Sequence, residues 1–433
     1  MKMNKNEFAI TPPMGWNSWD VYGASVTEDE VRKNAEYMAE NLKEYGWEYV
    51  VVDIQWYEPK GESCYYNAFT ELNMDEYSRL IPAENRFPSS KGGKGFKPLA
   101  DYIHELGLKF GIHIMRGIPR QAVHNNTKIL GTDVTAREIA STDSICRWNT
   151  DMYGVDSRKK GAAEYYESLI KLYSEWGVDF IKMDDSSCAE IGDVPYFAGE
   201  IELIRKAIDE SGREIVLSLS PGPTSLESAQ HVMKNANMWR MTGDYWDRWS
   251  DLYNEFEKCR KWSIYSGPGH WPDADMLPIG RLGIRTDKND NYGIGRMTRF
   301  TKDEQIMMIS LWCMFRSPLM IGSELTQIDE WTLSLITNSE VLKILNDSQN
   351  GYEVYRKDDK VVWFAEDRNG SVYIGLFNLR EVKENIGVDL KELGMDAVYI
   401  GRDLWSHEDI GNIKDKLEFQ INPHSCRLIK LYK

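Results

Sequence analysis

The stretch WGVDFIKMDD at residues 176–185 decides the fold class, because a short apolar run ends there in two carboxylates. It follows a helix-like amphipathic pattern over 160–176, and similar apolar runs alternate with helical patterns from about residue 10 to about residue 345. Such alternation is typical of parallel strands joined by helices. We predict an α/β fold, a (β/α)8 TIM barrel, rather than a doubly wound sheet, since no nucleotide-binding glycine pattern follows a predicted strand.

The predicted barrel strands are short, mostly apolar runs. In chain order they are Met14–Trp19, Tyr49–Gln55, Lys109–Met115, Asp179–Asp184, Ile215–Ser220, Met238–Thr242, a weak one at Ser263–Ser266, and Pro318–Gly322. The helical patterns between them include Glu28–Tyr45, Phe96–Leu106, Lys160–Trp176, Glu200–Asp209 and Asp303–Met314. The first of these begins with a capping box, in which Thr27 is the N-cap and Glu30 lies three residues on.

The pattern changes after about residue 350, where apolar and polar residues alternate with period two. Asp358–Asp359 and Asn369–Gly370 stand at hairpin-turn positions within this region. We predict a catalytic barrel over 1–348 and a small C-terminal antiparallel β-sandwich domain over 349–433.

Composition and charge narrow the function class. The chain of 433 residues is 42% hydrophobic and 28% charged, which is typical of a globular protein with a large core. Its net charge of −16 argues against nucleic-acid or anionic-membrane partners. The N-terminal residues lack the apolar stretch of a secretory signal, and the six cysteines form no CxxC pair. We therefore expect a cytoplasmic protein that acts on a small molecule; the oligomeric state stays open, and a homo-oligomer is allowed.

The strongest catalytic candidates are acids at the C-terminal ends of strands, where barrel enzymes place their reacting groups. Period-two geometry puts Lys182 and Asp184 on one face, so the lysine would favour the ionised carboxylate that a nucleophile needs. A structural ion pair in the barrel mouth is the alternative. Arg240 and Asp244 share parity on the sixth strand and its loop. Carboxylates from these two strands could flank a single bond, as glycoside hydrolysis requires.

A loop rich in glycine and proline, 266–280, is the next candidate. Trp271 could serve as a platform for a sugar ring, and Asp273 or Asp275 could accept hydrogen bonds from its hydroxyls; an ordinary turn-rich loop is the alternative. Asp247 is predicted to be a helix N-cap. The seven histidines show no metal-ligand spacing, so we expect no metal or other cofactor, and His113 is interpreted as a hydrogen-bonding pocket residue.

Six segments in the right order resemble glycoside hydrolase family 27, the melibiase-type α-galactosidases and α-N-acetylgalactosaminidases. The segments are TPPMGWNSWD (11–20), YVVVDIQW (49–56), GLKFGIHI (107–114), WGVDFIKMDD (176–185), WRMTGD (239–244) and GPGHWPDADML (267–277). The resemblance implies a retaining exo-glycosidase with Asp184 as nucleophile and Asp244 as acid/base. It also implies that the sugar pocket is lined by Trp19, Asp53, Lys182, Arg240 and Asp275. Retention implies carboxyl groups about 5–5.5 Å apart.

Three departures from the family pattern bear on the substrate. Ile54 replaces the second of two adjacent aspartates that hold the 4- and 6-hydroxyls of galactose, and His113 replaces a tyrosine. Ser220 replaces a bulky stretch, as in N-acetylgalactosaminidases. The main expectation is hydrolysis of terminal α-D-galactose or α-N-acetylgalactosamine from oligosaccharides. A β-L-arabinopyranosidase is the alternative that Ile54 favours. A non-catalytic carbohydrate-binding protein and a metal-dependent isomerase are alternatives from other classes.

Overall fold

The computed structural model describes residues 4–187, 195–285 and 295–433. Eight parallel strands in these ranges form one curled sheet, which confirms the predicted barrel. The strands are, in chain order, β1 (Met14–Asn17), β2 (Tyr49–Val52), β3 (Lys109–Met115), β4 (Phe180–Asp184), β5 (Val216–Leu219), β6 (Met238–Arg240), β7 (Trp271–Asp273) and β8 (Leu319–Ile321).

The barrel closes between its last two strands. The order in the sheet is β8, β1, β2, β3, β4, β5, β6, β7. Leu277, just after β7, forms a parallel bridge with Ile321 of β8, and its amide donates to the carbonyl of Met320 at 2.7 Å. Because the strands are parallel, their carboxyl ends meet at one mouth.

The prediction of the seventh strand was wrong. Ser263–Tyr265 is a 3₁₀ turn that continues the preceding helix, and the strand itself is Trp271–Asp273, inside the segment predicted to be a loop. Proline at 272 argues against a central strand in a sequence. It fits here because β7 forms its regular ladder with β6 alone, and closure toward β8 runs through Leu277.

Helices follow the strands around the outside. They are α1 (Glu28–Asn41), α2 (Lys97–Glu105), α3 (Ala162–Trp176), α4 (Ala198–Ser211), α5 (Ala229–Asn235), α6 (Trp249–Trp262), α7 (Lys302–Phe315), α8 (Glu330–Ile336) and α9 (Ser339–Asp347). The predicted capping box of α1 is confirmed, with the Glu30 carboxylate accepting from the Thr27 amide at 2.9 Å.

Large side chains fill the barrel interior, so the barrel is a packed core with one open mouth. This inner cluster consists of Phe8, Tyr49, Val51, Phe180, Val216, Met238, Trp271, Met276 and Met320. It leaves the polar residues at the carboxyl ends of the strands as the floor of the mouth.

Two long excursions rise from the mouth. Residues 53–96 connect β2 to α2, and residues 116–161 connect β3 to α3. The second excursion carries a three-stranded antiparallel sheet, composed of Ile118–Pro119, Ala140–Ile145 and Met152–Val155.

The C-terminal region is antiparallel, as predicted. Its strands are β9 (Ser348–Lys357), β10 (Lys360–Asp367), β11 (Val372–Asn378), β12 (Glu384–Asp389), β13 (Tyr399–Asp403), β14 (Glu408–Ile413), β15 (Lys416–Ile421) and β16 (Ser425–Tyr432). Six of them form one sheet, and β12 pairs with β15. Both predicted hairpin turns are present: Asp358 and Asp359 lie at φ 49° and 57°, and Gly370 at φ 84°. Trp363 and Leu428 belong to the main hydrophobic cluster of the barrel, so the two regions share a core; the division at residue 348 stays a prediction.

Candidate active site

The predicted site residues lie at or near the carboxyl ends of the barrel strands. Trp19 begins a helical turn after β1, Asp53 and Ile54 follow β2, His113 lies in β3, Lys182 and Asp184 lie in β4, Ser220 follows β5, Arg240 ends β6, and Asp244 and Asp275 lie in the loops after β6 and β7. Residues from seven strands therefore converge on one mouth, which sequence spacing alone could only suggest.

Asp184 is the last residue of β4, and its carboxylate has two close donors. His113 lies on the neighbouring strand β3, and its Nε2 is 3.0 Å from Oδ2 of Asp184. The backbone amide of Asp185 donates to Oδ1 at 2.9 Å. Burial alone would raise the pKa of Asp184, but His113 and the charge of Lys182 outweigh it and lower the pKa to about 2. The carboxylate is 13% exposed. Asp184 is thus an ionised group that a ligand in the mouth can reach.

Lys182 favours the ionised form of Asp184 through its charge, as expected, but its direct ion-pair partner is Asp53. The Lys182 ammonium donates to Asp53 at 2.9 Å, and Asn17 donates to the same oxygen at 2.7 Å. Burial works against ionisation of Asp53, but the lysine prevails and lowers the pKa of that buried acid. The direct hydrogen-bonding side chain of Asp184 is therefore His113, and Lys182 influences Asp184 through its charge.

A tight turn after β4 aims the donor at Asp184. Asp185 lies at φ 56°, in the left-handed region that few residues other than glycine adopt. Arg116 holds it there: the guanidinium contacts the Asp185 carboxylate at 2.7 Å and its carbonyl at 2.8 Å, and Glu200 holds the guanidinium from the other side at 2.7 Å. This buried network fixes the backbone amide that Asp184 accepts.

Asp244 differs from Asp184 in its surroundings. Its carboxylate is 62% exposed, at the rim of the mouth, and lies 3.3 Å from Arg240. Arg240 also pairs with Asp275 at 2.7 Å, and the same Asp275 oxygen accepts from the amide of Tyr245 at 2.8 Å. Asp275 therefore ties the loop that carries Asp244 to the end of β7, which positions the exposed acid.

The mouth holds more acids than cations. Burial and the neighbouring Asp275 raise the pKa of Asp273 to about 7. Burial also raises the pKa of Asp20 well above its usual value, and the charges of Asp275, Asp244 and Asp53 act in the same direction. One Asp20 carboxylate oxygen has no hydrogen-bond partner in the described part of the chain. Sequence reasoning missed Asp20, although it follows Trp19 directly.

Sequence reasoning also missed an aromatic wall at the mouth. Tyr66, from the excursion after β2, stacks on Trp19 with ring centroids 6.1 Å apart and planes inclined by 15°. Trp148, from the excursion after β3, also packs against Tyr66, with ring centroids 5.4 Å apart. Burial raises the pKa of Tyr66, and so do the charges of Asp184, Asp53 and Asp244. No local pattern marks Tyr66 or Trp148, because two separate excursions bring them together.

Two further predictions were wrong. Trp271 is fully buried in β7, where its indole N–H donates to the carbonyl of Ala9, so it cannot be a sugar platform. Asp247 is not the N-cap of α6, because that position belongs to Arg248. The Asp247 carboxylate instead pairs with Arg296 at 2.5 Å and accepts from the amide of Arg299.

Ile54 and Ser220 lie beneath this surface. Ile54 is 1% exposed and belongs to the main hydrophobic cluster. Ser220 is equally buried, and its hydroxyl has no hydrogen-bond partner among residues 4–187, 195–285 and 295–433. An apolar group follows Asp53, and an unpaired hydroxyl lies at the end of β5.

Comparison with known proteins places this chain in a family. The family model described as alpha galactosidase A matches residues 11–159 and 150–347, and the model for the alpha galactosidase C-terminal beta sandwich domain matches residues 357–431. The chain belongs to glycoside hydrolase family 27. It is a glycoside hydrolase with the barrel and the C-terminal antiparallel domain of that family.

Individual relatives differ in their similarity. A β-L-arabinopyranosidase from Geobacillus stearothermophilus, solved in complex with arabinose, is 60% identical with a TM-score of 0.97, and the match covers 100% of both chains. A Bacillus halodurans protein, provisionally assigned as an α-N-acetylgalactosaminidase, is 52% identical with a TM-score of 0.87 over 98% of both chains. Alpha-galactosidase 2 of Arabidopsis thaliana is 28% identical, over 100% of this chain and 91% of its own length.

The described residues contain neither a metal-binding cluster nor a membrane-spanning helix. Within 4–187, 195–285 and 295–433, no group of three or more His, Cys, Asp or Glu residues could hold a metal ion. None of the helices described there has the length and apolar character to span a bilayer. The expectations of no cofactor, of a cytoplasmic location and of an open oligomeric state stay predictions.

Proposed function

We propose that this enzyme is a retaining β-L-arabinopyranosidase. The observation that carries the proposal is the full-length similarity, at 60% identity, to a β-L-arabinopyranosidase. It favours the arabinopyranoside over α-D-galactose, because the α-galactosidase of Arabidopsis thaliana is 28% identical.

Ile54 provides a physical reason for this preference. The β-L-arabinopyranosyl ring superimposes on α-D-galactosyl but lacks the C6 hydroxymethyl group. An isoleucine next to Asp53 offers no acceptor for a 6-hydroxyl, and a buried hydroxyl left unpaired costs about 1–3 kcal/mol. Arabinose avoids that cost because it carries no such hydroxyl.

The proposed mechanism is a double displacement. Asp184, ionised and reachable, attacks the anomeric carbon while Asp244 protonates the leaving oxygen. Asp244 then removes a proton from the water that hydrolyses the glycosyl-enzyme, so the anomeric configuration is retained. Asp53 and Lys182 would bind sugar hydroxyls in the pocket, and Arg240 would orient Asp244.

The test is a panel of p-nitrophenyl glycosides. We expect kcat/KM for the β-L-arabinopyranoside to exceed that for the α-D-galactopyranoside by about tenfold or more, in line with one unpaired hydroxyl. Equal or higher kcat/KM for the galactoside would overturn the assignment.

The α-N-acetylgalactosaminide belongs in the same panel, because α-N-acetylgalactosaminidase is the second candidate function. Ser220 favours it, since the family resemblance places this residue against the sugar 2-substituent, where a small side chain leaves room. The Bacillus halodurans relative carries that provisional assignment. Cleavage of this glycoside faster than the other two would select the second candidate.

Replacement of Ile54 by aspartate tests the specificity determinant. We expect the ratio of kcat/KM for galactoside to that for arabinopyranoside to rise about tenfold, because the new carboxylate can accept from the 6-hydroxyl. Ile54→Val is the matched control, since it keeps an apolar side chain at position 54 and should leave the ratio unchanged. If the ratio in Ile54→Asp equals that in Ile54→Val while both proteins melt cooperatively, Ile54 does not set the preference.

Replacement of Asp185 tests the backbone donor to Asp184. Valine is strained at φ 56° and should displace the amide, which weakens a hydrogen bond that stabilises the ionised carboxylate. The pKa of Asp184 then rises, so the acid limb of the kcat/KM profile should move to higher pH, by roughly one unit for a loss of about 1.4 kcal/mol. Asp185→Asn tolerates this conformation and removes the same charge, so its acid limb is the reference for that of Asp185→Val. Identical limbs in the two variants would exclude the role.

A further inference from the structure

An open groove of about 600 Å³ lies beside the mouth, between the two excursions. One wall is formed by residues 69–72, and the other by residues 120, 121, 124, 125, 150, 151 and 153. A groove of this size can hold about two sugar rings, since ligand sites commonly span about 300–1,000 Å³. None of the predicted catalytic or sugar-pocket residues lines it.

Phe69 is an exposed aromatic platform in this groove. Its side chain is 75% exposed, and its backbone lies at φ 57°, which is uncommon for a residue with a large side chain. Thr150 Oγ1 accepts from its amide at 2.9 Å, and the Arg120 guanidinium lies over its ring at 5.0 Å. Contacts from the opposite wall therefore hold the ring in an exposed position, instead of letting it fold into the core.

Arg120 presents donors next to that platform. Its guanidinium lies between Phe69 and Tyr153, 4.6 Å from the second ring, and contacts the Tyr153 hydroxyl at 3.4 Å. The two rings restrict the side chain while leaving part of its N–H set for a ligand. His124 and Asn125 add polar groups along the same wall.

Side-chain contacts link the lining of the groove to residues at the mouth. The Asp151 carboxylate accepts from Gln55 at 2.6 Å, and Gln55 follows Ile54. A series of rings also leads outward from Trp19 to Tyr66 to Trp148, and the latter is 36% exposed. Tyr66 and Phe69 are three residues apart on one excursion, and Trp148 and Thr150 are two apart on the other.

We infer that this groove binds the leaving-group part of the substrate, and that this part is a neutral saccharide of at least two rings. Sugar C–H faces stack on exposed aromatic rings, and a guanidinium donates to hydroxyls. The mixed lining suits a saccharide better than a purely apolar aglycone. The inference rests on the proposed active site, since the leaving group must extend from the bond between Asp184 and Asp244.

The test compares two substrates with the same terminal sugar. One is p-nitrophenyl β-L-arabinopyranoside, whose leaving group ends at the mouth, and the other is a tetrasaccharide with a terminal β-L-arabinopyranosyl unit. We expect Phe69→Ala and Arg120→Ala each to lower the ratio of kcat/KM for tetrasaccharide over aryl glycoside by about five- to tenfold, the scale of one lost stacking or donor contact.

Tyr352→Ala is the matched control, because Tyr352 is an exposed aromatic of the C-terminal domain, 44% accessible. It should leave the ratio at the wild-type value. An unchanged ratio in Phe69→Ala and Arg120→Ala would overturn the inference, and a change in oligomeric mass without a change in ratio would instead assign the groove to contacts between copies.

The experiment distinguishes a wrong sugar preference from a groove that does not bind the leaving group. If the wild-type enzyme prefers α-D-galactosides, the same ratio is measured with p-nitrophenyl α-D-galactopyranoside and a tetrasaccharide that ends in α-D-galactose. With either terminal sugar, the ratio of kcat/KM for tetrasaccharide over aryl glycoside tests whether the groove binds the leaving group. Comparison of the two aryl glycosides tests the preference for the terminal sugar.

Discussion

Replacement of Asp184 by asparagine is expected to lower kcat on aryl glycosides by roughly 10⁴-fold or more while the fold survives. The amide has the same shape and can still contact His113 and the amide of Asp185, but it cannot form the glycosyl-enzyme bond. Steady-state kinetics and a thermal melt on the same preparation measure both halves of this expectation.

Chemical rescue by azide tests specifically whether Asp184 is the nucleophile. Azide added to Asp184→Ala should enter the vacated space and give an arabinopyranosyl azide of inverted, α configuration. Asp185→Asn is the matched control, because it neutralises the adjacent carboxylate and should show neither the same loss nor rescue. Wild-type-like turnover in Asp184→Asn would contradict the nucleophile role.

Replacement of Asp244 by alanine should give the second-largest effect, and one that depends on the leaving group. A saccharide leaving group needs protonation, so kcat/KM for it should fall by about 10²–10⁴-fold. A dinitrophenyl leaving group departs without a proton, so its glycosylation step should be affected much less. The measurement is the slope of log kcat/KM against leaving-group pKa in wild type and variant.

Azide separates this role from that of Asp184. In Asp244→Ala the azide ion should attack the glycosyl-enzyme and give an arabinopyranosyl azide of retained, β configuration, because the nucleophile Asp184 is still present. A uniform loss across all leaving groups, without such a product, would count against Asp244 as acid/base.

Much of the barrel could be predicted because buried parallel strands are continuous apolar runs. Lys109–Met115 was predicted with its observed bounds, since both of its faces are buried. Trp271–Asp273 was not predicted as a strand, because a proline among polar residues is typical of a turn. It is a strand because the barrel closes through Leu277.

Less of the site could be predicted from the sequence. Asp184 and Asp244 could be proposed from the sequence because strand ends and family motifs mark them. The hydrogen bond of Asp184 to His113, the pairing of Lys182 with Asp53 and the approach of Tyr66 depend on neighbouring strands and on folded excursions. Spacing along one strand contains no information about contacts between strands.

Proton NMR of one reaction tests both whether the enzyme cleaves β-L-arabinopyranosides and whether it retains the anomeric configuration. With p-nitrophenyl β-L-arabinopyranoside as substrate, the β anomer of L-arabinopyranose should be the first sugar signal, followed by slow conversion to the equilibrium mixture. Appearance of the α anomer first, or no release of arabinose under conditions in which the α-galactoside is cleaved, would contradict the account.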